Sequence, residues 1–217
     1  MTTQALVRDS SSPLRLSLLL GSLYFVTLAW QPYPGSAAVK GLSIATLAWL
    51  AWSAGVRPLA LGLAASSLGD VLLDIRSINL FIPGLILFLV AHLVYASMFL
   101  RAWQYPLRIW ERQRILVGGV ILYSLCFAIW LAPGLGALAI PVTLYICAIT
   151  AMVVTSVVAD VAPRVIAGAV LFLVSDSLLA IAKFKGTFAL RDYAVWGTYY
   201  LAQYCIATGV LRSPRLR

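Results

Sequence analysis

Two aspartates stand where carboxylates are costly: Asp70 in Ser66-Ser67-Leu68-Gly69-Asp70-Val71-Leu72-Leu73-Asp74, and Asp176 in Val174-Ser175-Asp176-Ser177-Leu178-Leu179. Each lies in a run that reads as a membrane-spanning helix. A carboxylate near the middle of such a helix costs roughly 2.5–3.5 kcal/mol on insertion scales, so it is kept only for a partner or a task. The local pattern repeats, with a Ser-rich approach, an Asp and a Leu-Leu pair. Two carboxyl groups in a poorly hydrated cleft divide into a protonated acid and an ionised base, which is what acid-catalysed hydrolysis needs. The sequence therefore predicts that Asp70 and Asp176 face each other and form the active centre. It holds no Gly-rich phosphate loop, Ser-centred nucleophile elbow or dinucleotide fingerprint that would supply other chemistry.

The neighbours of these aspartates divide by position. Ser66, Ser67, Asp70 and Asp74 fall at helical spacing and share one polar face. Ser67, like Ser175, either orients substrate or lets helices approach closely. Asp74 sits at the end of its run beside Arg76, where an interfacial ion pair accounts for it, while Asp70 has no cation near it in the sequence. Lys183 lies seven residues after Asp176 on the same face, placed to snorkel to headgroups or to bind a lipid phosphate. His92, with Phe88, Tyr95 and Phe99 at helical spacing, is the only histidine. A lone His is expected to orient a group by hydrogen bonding rather than to hold a metal. On the last run, Trp196 reads as part of an interfacial aromatic belt, whereas Tyr199, Tyr200 and Gln203 lie deeper and are expected to line the cleft. Cys126, Cys147 and Cys205 lack CxxC spacing and read as small core residues, so no metal and no cofactor is expected.

The elements that must position these residues follow from composition. A chain of 217 residues that is 62% hydrophobic and 11% charged, with a mean hydropathy of +0.96, is an integral membrane protein. A crossing takes about 20 residues. The expected fold is all-α, a polytopic membrane protein with eight transmembrane helices in a single domain over residues 14–211. A disordered tail at 1–13 and a basic tail at 212–217 flank it. The runs are expected at about 14–30, 36–54, 58–73, 79–100, 115–131, 135–158, 164–182 and 190–211, separated by breaks such as Gln31-Pro32-Tyr33-Pro34-Gly35 and Ala132-Pro133-Gly134. Gly35-Ser36-Ala37-Ala38 also permits a cleaved signal peptide, but the first run is long for one. Pro141 is read as the one proline inside a helix. The net charge of +9 sits between and beyond the apolar runs, where anionic headgroups account for it, so no nucleic-acid partner is expected.

Most Lys and Arg residues fall on the side of the N-terminus, the Arg101–Arg114 linker and the C-terminal tail, which predicts both termini in the cytoplasm. Lys183, Lys185 and Arg191 run against that bias. An offset of four helices relates the Asp70 run to the Asp176 run and Ala91-His92-Leu93 to Ala202-Gln203-Tyr204. Such an offset predicts a parallel four-plus-four repeat about an axis along the membrane normal.

Ser67-Leu68-Gly69-Asp70-Val71-Leu72-Leu73, Phe88-Leu89-Val90-Ala91-His92-Leu93-Val94-Tyr95, Leu173-Val174-Ser175-Asp176-Ser177-Leu178-Leu179-Ala180 with Lys183-Phe184, and Tyr199-Tyr200-Leu201-Ala202-Gln203 together resemble the YhhN family of membrane proteins. The likeness covers nearly the whole chain in helix number and motif order. It implies a lysoplasmalogenase-like hydrolase of a bacterial inner membrane that cleaves the vinyl ether of a lysophospholipid to a fatty aldehyde and a glycerophospho-base. Asp70 and Asp176 would then be acid and base in either order, with His92, Tyr199 and Gln203 orienting water or the ether oxygen. The competing expectation is a small transporter or lipid-translocating protein in which the same Asp pair relays protons.

Overall fold

Proline and glycine set most of the helix ends. A computed structural model describes residues 3–75, 79–103 and 111–216, and eight α-helices run along them. They are α1 (Thr3–Thr27), α2 (Ser36–Ser53), α3 (Arg57–Asp74), α4 (Phe81–Arg101), α5 (Glu111–Leu131), α6 (Ala139–Val158), α7 (Pro163–Phe184) and α8 (Arg191–Leu211). No strand forms among the described residues, and the one β-bridge joins Trp103 to Ala159. Arg76 and residues 104–110 of the basic linker lie outside the described residues. Gly55, at φ +79°, ends α2 as a left-handed cap. Its N–H meets Trp52 O at 2.9 Å and the Val56 N–H meets Ala51 O at 3.0 Å, so two orphan carbonyls are satisfied in one turn.

Prolines behave differently from the reading of the sequence. Pro141 is the third residue of α6, because short 3-10 turns at Ala132–Gly134 and Gly136–Leu138 delay the helix to Ala139. It therefore occupies the first turn, where its missing N–H costs nothing. Pro83 holds the corresponding place in α4, and Pro13 is the proline that lies inside a helix, in α1.

Five segments are long and apolar enough to cross a membrane: Ser12–Trp30, Phe81–Arg101, Glu111–Gly134, Gly136–Val158 and Pro163–Phe184. The eight expected crossings are thus met by five on length and composition. The helices that fall short are the polar ones. α3 carries Arg57, Asp70 and Asp74, α2 carries Lys40, and α8 opens on Arg191-Asp192 and continues through Tyr199, Tyr200 and Gln203. Side chains such as Leu19, Ile129 and Ile140 are exposed, and α5 buries only Val120, Ser124 and Leu131. Surface of that kind suits lipid rather than water, and the protein is integral to the membrane.

The chain divides into two compact units, Met1–Val94 and Tyr95–Arg217. In the first, α2 packs on both α1 and α3 around Ile44, Leu47, Leu59 and Leu63. Small residues bring the backbones together: a Cβ on Gly41 of α2 would stand 3.3 Å from Ser67 O, and one on Gly69 of α3 would stand 3.4 Å from Gly84 O. In the second unit α5 packs on α6, α6 on α7 and α7 on α8. Gly168 of α7 lies so near α8 that a Cβ there would be 2.8 Å from Ala202 O.

The ends of the second unit gather distinct groups. At one end the Asp160 N–H donates to Ala102 O at 3.3 Å, the Gln113 amide donates to Val157 O at 2.9 Å, and Arg215 pairs with Asp160. At the other end the Lys185 ammonium lies 4.8 Å from the centre of the Trp130 ring. The cysteines do not behave as core residues. Cys126 and Cys147 are exposed, and Cys205 is half-buried, its Cβ lying 3.0 Å from where a Cβ on Gly168 of α7 would stand.

Candidate active site

In the first unit the face of α3 that carries Ser66, Ser67 and Asp70 is packed inward, and Asp70 is 2% exposed. Such a carboxylate needs a counter-charge. It has one: Lys40 of α2 places Nζ 3.5 Å from Asp70 Oδ1. The absence of a cation near Asp70 in the sequence is thus overcome across the α2–α3 interface. Ser67 supports the contact one turn earlier, where its Oγ donates to Gly41 O at 2.8 Å. Lys40 is itself 17% exposed and lies 5.8 Å from the centre of the Tyr24 ring of α1.

Asp74 lies one turn beyond Asp70, and its partners are hydroxyls. Tyr24 donates to Oδ1 at 2.7 Å and Ser36 donates to Oδ2 at 2.7 Å. The Gln31 amide in turn donates to the Tyr24 hydroxyl at 2.8 Å. Arg76, its expected partner, lies outside the described residues. Asp74 therefore ties α1, the α1–α2 connection and α2 to the end of α3. Ser66 is fully buried, and its hydroxyl has no hydrogen-bond partner among the described residues. His92 is also fully buried. On the same helix the Phe88 ring stands where a Cβ on Gly69 would meet it at 2.8 Å, so Gly69 is what lets α4 lie against the residue before Asp70.

In the second unit Asp176 is half-buried and accepts the Tyr145 hydroxyl of α6 at 2.5 Å. Ser175 points elsewhere and donates to Val195 O of α8 at 3.0 Å. Like Ser67, it spends its hydroxyl on a neighbouring helix. Gln203 is fully buried; its carboxamide accepts the Tyr95 hydroxyl at 3.0 Å and stands 3.4 Å from the Tyr199 hydroxyl. Tyr199 is buried edge-on against Phe172, with ring centres 5.3 Å apart. Trp196 is 3% exposed and packs between Tyr199 and Tyr200 at 5.6 Å from each. It is a core residue and not part of an interfacial belt, because α8 turns this face onto α7. Tyr200 is half-buried, and Lys183 is exposed near the end of α7.

Lys40, Tyr24, Ser36 and Tyr145 escaped the reading of the sequence. One signal was present. Lys40 is a charge inside an apolar helix, and such a residue demands a partner by the same argument that singled out Asp70. A tyrosine such as Tyr145 carries no comparable signal. Among the described residues, no three His, Cys, Asp or Glu side chains are grouped so as to hold a metal ion.

Known proteins add the context. The chain is 34% identical over 164 residues to a lysoplasmalogenase, TMEM86A, of Bos taurus, covering 70% of this chain and 64% of that protein. It is 37% identical over 159 residues to a lysoplasmalogenase of Mycobacterium bovis and to one of Mycobacterium tuberculosis, covering 68% of this chain and 58% of each. It thus spans about three-fifths of the length of these curated relatives. No solved structure matches it. The profile of the YhhN family matches residues 35–210, a stretch that holds both aspartates, His92, Gln203 and the partners Lys40 and Tyr145, and the chain belongs to that family.

Proposed function

We propose that this protein is a membrane-embedded hydrolase of the lysoplasmalogenase type, which cleaves the vinyl ether of a lysoplasmalogen to a fatty aldehyde and a glycerophospho-base without a cofactor. The observation that carries this reading is a pair of carboxylates in helices of a membrane protein, each held by a polar side chain of the preceding helix: Asp70 by Lys40 and Asp176 by Tyr145. The names of the relatives supply the substrate class. A vinyl ether is hydrolysed when its outer alkene carbon is protonated and water attacks the resulting oxocarbenium ion. One acid and one base suffice, and Asp70 and Asp176 supply them. His92, Tyr199, Tyr200 and Gln203 orient water or the ether oxygen, and Lys183 offers an exposed cation to the lipid phosphate.

The reading includes eight crossings of a bacterial inner membrane, both termini cytoplasmic, and a parallel four-plus-four repeat. One matching contact supports the repeat. The Asp alignment sets Gly69 against Ser175, and the Ala91–Ala202 alignment sets Gly84 against Val195 and Phe88 against Tyr199. Gly69 abuts Gly84 and Phe88 in one half. Ser175 bonds Val195 in the other.

Purified protein in detergent, given choline- or ethanolamine-lysoplasmalogen, is expected to release fatty aldehyde at the same rate with and without chelator. No aldehyde from either lipid would refute the assignment, and activity lost to chelator and restored by zinc would refute the metal-free mechanism.

A further inference from the structure

We infer that Ser66 is a further residue of the candidate site: its hydroxyl holds a water against Asp70, and that water is the one the reaction consumes. The inference rests on the vinyl ether reading above and stands wholly within the Met1–Val94 unit. Every other buried serine among the described residues uses its hydroxyl. Some bond a carbonyl of the turn before, as Ser177 bonds Leu173 O at 2.7 Å, and the rest bond another helix, as Ser67 bonds Gly41 O at 2.8 Å. Ser66 is fully buried and does neither. The Gly62 carbonyl one turn back is within reach of a helical serine, so the Ser66 side chain is turned away from the bond that α3 itself offers. A buried hydroxyl so placed is costly unless something small and polar meets it.

Helix phase says what lies on that side. α3 and α4 run antiparallel where they touch, since Leu73 meets the Gly84 position and Gly69 meets Phe88. At about 100° per residue, Ser66 and Asp70 stand about 40° and 80° round α3 from that line of contact, and His92 about 60° round α4. Because the helices are antiparallel, these rotations open to the same side of the pair, the side on which α2 brings Lys40 to Asp70. The register continues to set Ser66 opposite Ala91, so the fully buried His92 comes in level with Ser66, one turn from Asp70. Side chains four apart on a helix have Cβ atoms about 5–6 Å apart, a span that one water bridges. A bound water needs two or more polar partners. The Ser66 hydroxyl is one, and the Asp70 carboxylate, which accepts several hydrogen bonds at once, is another.

Protonation of the outer alkene carbon leaves an oxocarbenium ion. The oxygen of the held water forms the new C–O bond to that ion. One of the water's protons passes along its hydrogen bond to the Asp70 carboxylate, which the Lys40 ammonium keeps ionised, and the product is a neutral hemiacetal. Ser66 exchanges no proton; it fixes the direction of attack.

Methanol tests the placement of the water, because it adds to the same carbon, loses its hydroxyl proton in the same way and leaves a methyl glyceryl acetal instead of a hemiacetal. Purified wild type, Ser66→Ala, Ser66→Thr and Ser66→Cys are given choline-lysoplasmalogen in aqueous methanol, and aldehyde and acetal are measured by mass spectrometry. Ser66→Ala is expected to lose roughly 10–10²-fold in kcat with KM little changed. Its ratio of acetal to aldehyde should rise several-fold, since the hydroxyl that favours water is gone and the methyl of methanol takes its space. Ser66→Thr keeps a hydroxyl and should hold the ratio near that of wild type. A ratio unchanged in Ser66→Ala overturns the inference whatever happens to kcat, because a loss of packing alone does not alter the choice between nucleophiles. Should Ser66→Ala fail to fold, Ser66→Cys has nearly the same shape as serine but bonds weakly; it should raise the ratio in the same direction, and no rise there overturns the inference equally. A wild-type protein that releases neither product removes the vinyl ether reading itself and this inference with it, which is a different outcome from an active enzyme with an unmoved ratio.

Discussion

Asp70 and Asp74 lie one turn apart on the same face of α3, yet their surroundings give them different work. Asp74 accepts Tyr24 and Ser36 and joins three segments, so its loss should be felt in stability. Hydrogen bonds to a charged group contribute about 1.5–3 kcal/mol, and Tyr24→Phe or Asp74→Asn should lower the melting temperature in detergent while the folded fraction keeps its specific activity. Asp70→Asn and Asp176→Asn should do the opposite, leaving folding intact and removing turnover, because an amide keeps the volume but cannot exchange a proton. The double variant should be barely worse than either single one, since an acid without its base already fails. Thermal melts paired with aldehyde release check both halves. A variant of Asp70 or Asp176 that melts early but turns over normally would remove that residue from the catalytic assignment. The aspartates were legible in the sequence because a charge in an apolar run stands out wherever it occurs. Lys40 stands out by the same rule, but its pairing with Asp70 and that of Tyr145 with Asp176 were not legible, because both partners reach the aspartates from another helix.

Helix contacts in this protein depend on residues without bulk. At Gly168 the obstacle to a side chain is the Ala202 carbonyl, 2.8 Å from where a Cβ would stand, and a main-chain atom cannot swing aside. Gly168→Ala should therefore cost about 1–3 kcal/mol by forcing α7 and α8 apart. Gly118 and Gly119 on α5 have nothing within 4 Å of a built Cβ. Gly118→Ala and Gly119→Ala should each gain up to about 1 kcal/mol from helix propensity. Thermal denaturation of the three variants in one detergent reads the contrast, and equal effects at 118 and 168 would contradict the packing described. In the sequence all three are glycines in apolar helices. The difference belongs to the face: α7 turns Gly168 onto α8, whereas α5 packs on α6 with little of its surface and leaves the rest outward. The same rotation exposes Cys126 and Cys147 and buries Trp196.

For the whole molecule, the proposed eight-crossing topology predicts the Arg101–Arg114 linker in the cytoplasm and Lys183–Arg191 outside. After the three native cysteines are replaced, single cysteines at positions 112 and 186 should label from opposite sides of intact cells. Labelling from the same side would show that the crossing count is wrong. The amino-acid sequence by itself determined the all-helical membrane class, most helix ends to within a few residues, the two chemically charged aspartates and the family motifs. Each of those is a local property: hydropathy over one span, a proline or glycine at one break, one carboxylate among leucines. Only the tertiary structure decided that Asp70 is an ion pair, that Asp74 is a strut, that Ser67 and Ser175 bind neighbouring main chains, and that Trp196 lies in the core. Those outcomes depend on which faces of which helices meet. Contacts such as Ser67 to Gly41, 26 residues apart, and Tyr24 to Asp74, 50 apart, are set by how closely small residues let helices approach. No short stretch of sequence encodes that approach, because it is a property of pairs of helices and not of either one alone.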